Sequence, residues 1–210
     1  MSQADYMMQL CHISEQSVRE LEPSFEQLPT TPYADGQYRL RRYSVVRCHH
    51  CELEHLAHQT FCQTENINHH QGGVVRNFEE IEEVVIGSTG LLELCQLFKD
   101  HNELNDDNPI EIHQMRVITF DEVTPVSPEG IHQDGFDHIA IAAIDRQNVQ
   151  GGEILVYKDK TERPFFNLAL DDGDVALLDD HQLWHNANPI RAMNPKHQGH
   201  IDLFVLTAKH

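Results

Sequence analysis

Two side chains of metal-binding type stand two residues apart in the segment EGIHQDGFDH, where His132 is followed by Asp134. In extended backbone, side chains at positions i and i+2 point to the same side. An imidazole, the commonest metal ligand, and a carboxylate can therefore reach one cation from a single strand end. Because the chain has sixteen histidines, this spacing is weak evidence until a third ligand is found.

The third ligand is expected in the segment LLDDHQLWHNANPI, which carries His181 and His185. Two further strand-like runs and their turns separate it from Asp134, so the chain can return to the same end of a β-structure. Two histidines and one carboxylate that leave three positions open are the arrangement of non-haem Fe(II) oxygenases. Spacing alone leaves His181 and His185 as alternatives.

The sequence pattern of the C-terminal half is typical of an all-β fold that could hold such a site. Short apolar runs alternate with clusters of Pro, Gly and Asp, and we expect strands over residues 113–120, 138–145, 153–157, 165–170, 174–179 and 202–208. Strands at this spacing without intervening helices are typical of a sandwich or barrel. We expect a mainly β fold with flanking helices around a double-stranded β-helix, the jelly-roll or cupin-like core.

The N-terminal half is predicted to contain fewer elements, and its first 36 residues are polar. Residues 1–36 carry three prolines and a helix-compatible stretch over 14–21, so we interpret them as an appendage to one domain over 37–210. The run YRLRRYSVVR at 38–47 predicts a strand whose arginines must face solvent or a buried anion. Leucines at helical spacing predict a helix over 91–104.

Composition excludes several classes of partner. The chain has 34 acidic and 15 basic residues and a formal charge of −19, which repels phosphate backbones and anionic membrane surfaces. We therefore expect no nucleic-acid partner. No stretch approaches the ~20 apolar residues of a membrane span, and the first ten residues do not resemble a signal peptide. We expect a cytoplasmic protein, whose five cysteines are reduced thiols.

Four blocks resemble the bacterial 2-oxoglutarate-Fe dioxygenases that include L-isoleucine 4-hydroxylase and related free amino-acid hydroxylases. The similarity extends over roughly residues 38–208, and the blocks follow the family's order: NHHQGGVVRNFEEI, HQMRV, PEGIHQDGFDHIAIAAIDRQNVQGGEILVY and LLDDHQLWHNANPI. The resemblance implies that His132 and Asp134 are the first two iron ligands. The family's distal histidine stands shortly before a Pro-Ile pair, which selects His185 over His181.

The resemblance also implies cofactors and a reaction. Fe(II), 2-oxoglutarate and O₂ would hydroxylate an aliphatic carbon of a small free L-amino acid, with succinate and CO₂ as the other products. One departure stands at Ile201, where similar family members carry an arginine that binds the far carboxylate of 2-oxoglutarate. Two candidates could replace this arginine: Arg116, together with Gln114, and Arg191 beside the Pro189 turn. A planar guanidinium suits this role because it binds a carboxylate through two parallel hydrogen bonds.

Two alternatives remain open. The segment CHHCELEHLAH has the Cys48 and Cys51 spacing of zinc ligands, followed by His55 and His58, although solvated histidines and free thiols are the more ordinary interpretation. The family also contains members linked to biofilm and stress phenotypes. Because Ile201 stands where similar family members have an arginine, two other hypotheses remain: a non-catalytic metal-binding stress or regulatory protein, or an iron oxygenase that does not use 2-oxoglutarate.

Overall fold

The structure is a computed structural model that describes residues 7–210, in which a large antiparallel sheet faces a smaller one. Its strands are β1 (Met8–His12), β2 (Arg39–Cys48), β3 (Leu53–His55), β4 (Pro109–Thr119), β5 (His138–Gln147), β6 (Val149–Gly151), β7 (Ile154–Tyr157), β8 (Phe166–Leu168), β9 (Asp174–Asp179), β10 (Trp184–Ala187), β11 (Ile190–Ala192) and β12 (Gly199–Ala208). Its helices are α1 (Glu15–Leu21), α2 (Glu83–Ile86) and α3 (Thr89–His101).

The strand order departs from the chain order, as in a jelly roll. The large sheet has seven strands in the order β1-β9-β5-β12-β4-β2-β3, and the second sheet has the order β10-β7-β8. A short ribbon pairs β11 with β6. The predicted jelly-roll core is confirmed, and the bounds of every predicted strand lie within four residues of those of an observed one.

The two faces of the large sheet pack against different partners. Even-numbered residues of β12, such as Phe204 and Leu206, face the helices in the larger core, where Phe25 packs edge-on against Phe204 at 5.1 Å. Odd-numbered residues, such as Leu203 and Val205, face the smaller sheet and its Ile154 and Val156. Alternation along each strand thus separates a helix-covered outer face from an inner face between the sheets.

Residues 7–36 are integrated into this unit rather than appended to it. Strand β1 pairs with β9 along its whole length, from Met8 opposite Leu178 to His12 opposite Asp174. Helix α1, capped by Ser14, packs against α3, and its Leu21 is buried in the core. The expectation that residues 1–36 form an appendage is therefore wrong for residues 7–36, because their few apolar side chains pack against the sheet. Residues 1–6 lie outside the described part of the chain.

Helix α3 confirms the predicted helix with a start two residues earlier. Ser88 caps it by accepting a hydrogen bond from the Leu91 amide at 3.1 Å. Its leucines and Phe98 cover the outer face of the sheet. Within residues 7–210, no helix has the length and apolar character needed to cross a bilayer.

Candidate metal centre

The chain segment before β5 meets strand β10 at a short backbone ladder. His132 and His185 each donate an amide hydrogen bond to the other's carbonyl at 2.9 Å. In this pairing the two imidazoles lie side by side, with ring centroids 4.3 Å apart. The ladder therefore fixes the distance between two residues that are far apart in sequence.

Asp134 lies between the two imidazoles. Its Oδ1 is 3.6 Å from Nε2 of His132, and its Oδ2 is 3.5 Å from Nε2 of His185. One ligand atom of each residue lies within 4.8 Å of the others. The group includes His185 and not His181, whose side chain is 81% exposed and lies 4.0 Å from Asp137.

Each imidazole presents its Nε2 to this centre. His132 Nδ1 is 2.8 Å from the Gly130 carbonyl oxygen, a contact that places the ring proton on Nδ1 and leaves Nε2 as an acceptor. His185 Nδ1 faces Asp180 at 3.7 Å. Two acceptor nitrogens and a carboxylate that converge on one point fit a divalent cation, and this donor set suits iron.

The carboxyl group of Asp134 is held in its charged form. Burial favours the neutral acid, but the hydrogen bond and the Coulomb interaction with His185 outweigh burial and keep the pKa of Asp134 well below its usual range. Burial likewise disfavours charge on His185, yet Asp134 raises the pKa of this imidazole. An ionised carboxylate is the form that binds a cation.

Asp180 holds the Asp134 segment in place. Its side chain is fully buried and accepts hydrogen bonds from the amides of Asp134 at 2.9 Å, Gly135 at 2.8 Å and Phe136 at 3.1 Å. Gly135 has φ +82°, and an added Cβ there would lie 2.4 Å from the Ile67 side chain. The segment therefore turns sharply around one carboxylate, which makes Asp180 a positioning residue.

We expect Asp180→Asn to weaken Fe(II) binding by about 10- to 100-fold, the usual effect of losing a partner that orients metal ligands. The amide keeps one acceptor oxygen but loses the charge that gathers three amides. Competition with a chromophoric chelator under anaerobic conditions measures the affinity. Asp159→Asn, in an exposed loop, is the matched control, and equal affinity in both variants would contradict this role.

The three side chains line a cavity of about 120 Å³ between the two sheets. Its walls are largely apolar and include Ile141, Leu203 and Ile154. Four arginines also line it: Arg39, Arg41, Arg76 and Arg146. Arg39, Arg41 and Arg76 are buried and Arg146 is partly exposed, a concentration of cations that stands out in a chain of net charge −19.

Arg146 enters the cavity beside the altered position. Strand β5 carries one extra residue, Ile144, opposite the Asp202–Leu203 bond, so that Arg146 pairs directly with Ile201. One guanidinium nitrogen donates to the Gly151 carbonyl at 2.7 Å. Gly152 leaves room for the group, since its Cβ would lie 3.3 Å from another guanidinium nitrogen. Among residues 7–210, no carboxylate lies within 4.0 Å of Arg146 to form an ion pair.

The structure places the three expected cosubstrate residues outside the cavity. Arg116 and Gln114 lie on the outer face, where Arg116 binds Asp202 through two nitrogens at 2.6 and 2.7 Å and Gln114 donates to Ser24 at 2.7 Å. Arg191 is exposed on β11. The expectation that these side chains aim into the barrel is therefore corrected, because even-numbered residues of β4 face the helices.

The second histidine and carboxylate cluster does not resemble the first. Asp145, His200 and Asp202 come together on the outer face, with His200 Nε2 2.7 Å from Asp145. Arg116 already occupies both oxygens of Asp202. The cluster is thus part of an ion-pair network centred on Arg116.

The cysteine segment forms no metal centre in the described structure. Cys48 is buried and Cys51 exposed, while His55 contacts Glu83 at 2.6 Å and His58 contacts Asn77 at 2.6 Å. Within residues 7–210, neither group able to hold a metal includes a cysteine. The interpretation as free thiols and histidines with local polar partners agrees with this placement.

Several cavity residues have no counterpart in the sequence-based site. Arg39 and Arg41 belong to the run whose arginines require solvent or a buried anion, and both are buried. The need of these arginines for a buried anion was the feature of the sequence that could have predicted their place in the cavity. Arg76, Glu129 and Arg146 lie in segments whose spacing gives no sign of a shared cavity.

Comparisons with known proteins agree with the fold. The sequence profile described as 2OG-Fe dioxygenase matches residues 22–207. A bsmA homologue from Methylobium petroleophilum PM1 is 28% identical, with 92% of this chain and 81% of that chain covered and a TM-score of 0.78. The protein named IDO from Bacillus thuringiensis is 15% identical, with 96% and 93% covered and a TM-score of 0.77.

A third solved structure is similar over most of its length. The Fe(II)/α-ketoglutarate-dependent dioxygenase TqaL is 12% identical, with 97% of this chain and 82% of that chain covered and a TM-score of 0.69. No curated protein matches the sequence. Since the profile match extends over most of the sequence and the structure gathers two histidines and a carboxylate in a jelly-roll cavity, the chain belongs to the 2OG-Fe dioxygenase family, whose cofactors are Fe(II) and 2-oxoglutarate.

Proposed function

We propose that this protein is a dioxygenase that hydroxylates an aliphatic carbon of a small free L-amino acid, with Fe(II) held by His132, Asp134 and His185. The observation that carries the proposal is the convergence of these three ligand atoms in a mainly apolar cavity. When bound, Fe(II) with 2-oxoglutarate and O₂ supplies the chemistry: the cosubstrate becomes succinate and CO₂ as a C–H bond becomes C–OH.

The protein's part is to orient both organic ligands and to exclude water. The apolar walls keep the reacting carbon dry. We propose that Arg146 binds the far carboxylate of 2-oxoglutarate, because its guanidinium lines the cavity and has no ion-pair partner among the described residues. Its strand neighbour is Ile201, roughly 5 Å away between Cα atoms, so the positive charge lost at position 201 is supplied from the adjacent strand.

The substrate class rests on the family resemblance and on the cavity. A volume of about 120 Å³ favours a small molecule over a folded partner. The concentration of arginines favours a ligand that carries a carboxylate, because a planar guanidinium binds that group through two parallel hydrogen bonds.

The test begins without oxygen. Fe(II) and then 2-oxoglutarate are titrated into the metal-free protein, and we expect the visible charge-transfer band of the chelate to reach one equivalent of each. Admission of O₂ with each of twenty L-amino acids should then give succinate together with a product heavier by one oxygen atom. Iron binding without the band would favour the non-catalytic alternative, and the band without stimulation by any amino acid would refute the substrate class.

A further inference from the structure

Apart from Arg39, which is paired with Asp35, three charged side chains of the cavity are used neither by the iron site nor by the cosubstrate anchor. They are Arg41, Arg76 and Glu129, and all three line the cavity. Buried charges require partners, because a stranded one costs several kcal/mol. The partners of these three groups therefore indicate what the cavity is built to bind.

Arg41 lies on the inner face of β2 and is only 6% exposed. One guanidinium nitrogen is 3.3 Å from the Met115 sulfur, and the group lies 5.2 Å from the centre of the Phe78 ring. No carboxylate of residues 7–210 comes within 4.0 Å of it. Burial, aided by the charge of Arg39, lowers the pKa of Arg41 to about 9. The cation is thus poorly compensated by the protein itself.

Arg76 is 2% exposed and lies 4.8 Å from the centre of the Phe61 ring. It donates to the Gln63 side-chain oxygen at 3.2 Å, and its Nε has no hydrogen-bond partner in the described structure. Gln63 in turn donates to Asp134 Oδ1 at 3.2 Å. Two hydrogen bonds through Gln63 therefore link Arg76 to the proposed iron ligand Asp134.

Glu129 supplies the opposite charge. Its Oε1 lies 3.5 Å from Arg39, a residue whose guanidinium is already bound to Asp35 at 2.6 Å. Its Oε2 is buried with no hydrogen-bond partner among residues 7–210. The cavity thus holds one carboxylate oxygen that needs a donor and two guanidinium groups that need an anion.

These groups are separate from the proposed cosubstrate anchor. Arg41 on β2 pairs with Met115 on β4, and Met115 pairs with Leu203 on β12. Leu203 pairs in turn with Ala143 on β5, the strand that carries Arg146. Three strand spacings correspond to roughly 14 Å. Two cationic regions on opposite sides of the cavity suit two different carboxylates.

We propose that Arg41 and Arg76 bind the carboxylate of the primary substrate and that Glu129 binds its ammonium group, so that the cavity selects zwitterions. This inference rests on the proposed function and assigns the residues that would enforce it. The guanidinium groups would accept the carboxylate by charge-assisted hydrogen bonds, and the free Glu129 oxygen would accept an N–H of the ammonium group. Acids without an amine and amines without an acid would each leave one buried charge unpaired.

The test measures ligand preference rather than affinity alone. Calorimetry under anaerobic conditions, with Fe(II) and 2-oxoglutarate present, compares the L-amino acid that binds best with its carboxamide and with its 2-hydroxy acid. The parent should prefer the amino acid over each analogue by at least tenfold. Arg41→Met and Arg76→Met should reduce the preference over the carboxamide to under threefold, and Arg76→Lys should restore part of it.

Glu129→Gln should instead reduce the preference over the 2-hydroxy acid and leave the preference over the carboxamide unchanged. Arg163→Met and Glu122→Gln make the same chemical changes at exposed positions and should keep both ratios. Because a ratio within one variant is insensitive to the folded fraction, general destabilisation cannot mimic the result.

Unchanged ratios in all three cavity variants would overturn the inference while leaving the proposed function standing. Weaker 2-oxoglutarate binding in Arg41→Met and Arg76→Met, with amino-acid preference intact, would also overturn it and assign these residues to the cosubstrate. If no amino acid binds although the iron and 2-oxoglutarate chelate forms, the proposed substrate class fails, and this inference fails with it.

Discussion

Asp134→Ala is expected to bind no stoichiometric Fe(II) and to form no succinate above background. The carboxylate lies within 3.6 Å of both imidazoles, so its loss removes the one anionic ligand and leaves two histidines only. His132→Ala and His185→Ala should have the same effect, since each leaves an incomplete site. Metal analysis after anaerobic gel filtration and succinate formation measure the two properties.

His181→Ala is the matched control for His185→Ala. Both histidines lie in one short segment, but the His181 side chain is 81% exposed and that of His185 is 7% exposed. We expect His181→Ala to retain full iron content and turnover. Full iron binding in His185→Ala, or its loss in His181→Ala, would refute the assignment of ligands.

Arg146→Met is expected to raise the Michaelis constant for 2-oxoglutarate at least tenfold, which corresponds to about 1.4 kcal/mol, with iron binding unchanged. The far carboxylate of the cosubstrate cannot remain in an apolar cavity without a cationic or hydrogen-bonding partner. Arg146→Lys keeps the charge but not the planar fork, so a smaller increase is expected. Succinate formation across a range of 2-oxoglutarate concentrations gives the constant.

Arg191→Met provides the control for this change, because Arg191 is exposed on β11. Its Michaelis constant for 2-oxoglutarate should equal that of the parent. If Arg191→Met is the damaging substitution, or if Arg146→Met leaves the constant within twofold, the cosubstrate is anchored elsewhere. Arg116 is unsuited as a control, since its removal strands the fully buried Asp202 carboxylate.

Local pattern was sufficient for the five longest strands, for helix α3 and for part of the candidate site. The strands of the C-terminal half and helix α3 follow from periodicity and turn residues, which act over a few positions. The i and i+2 spacing of His132 and Asp134 likewise gives two neighbouring side chains without knowledge of the rest. The choice of His185 needed the family resemblance, because the spacing of the sequence permits His181 equally well.

The identity of the inward arginines depended on the assembled sheet. Along β5, Ile139, Ile141 and Ala143 face the cavity side of the sheet. If this alternation continued without a break, Asp145 would face inward and Arg146 outward. The extra residue Ile144 reverses this order, so that Arg146 faces the cavity and Asp145 faces His200. A bulge is a relation between two strands, and no property of the β5 sequence alone determines it.

Arg116 illustrates the same division between sequence and tertiary structure. Sequence alternation correctly puts Gln114 and Arg116 on one face of β4, but which face is covered by helices depends on how α1 and the turn that follows it pack against the sheet. Once packed, Glu26 and Asp202 surround Arg116 on that face. Short-range periodicity is sufficient to predict the longest strands, helix α3 and the neighbouring pair of His132 and Asp134. Strand register and sheet packing determine which charged side chains share the cavity, because they bring together residues that are distant along the chain.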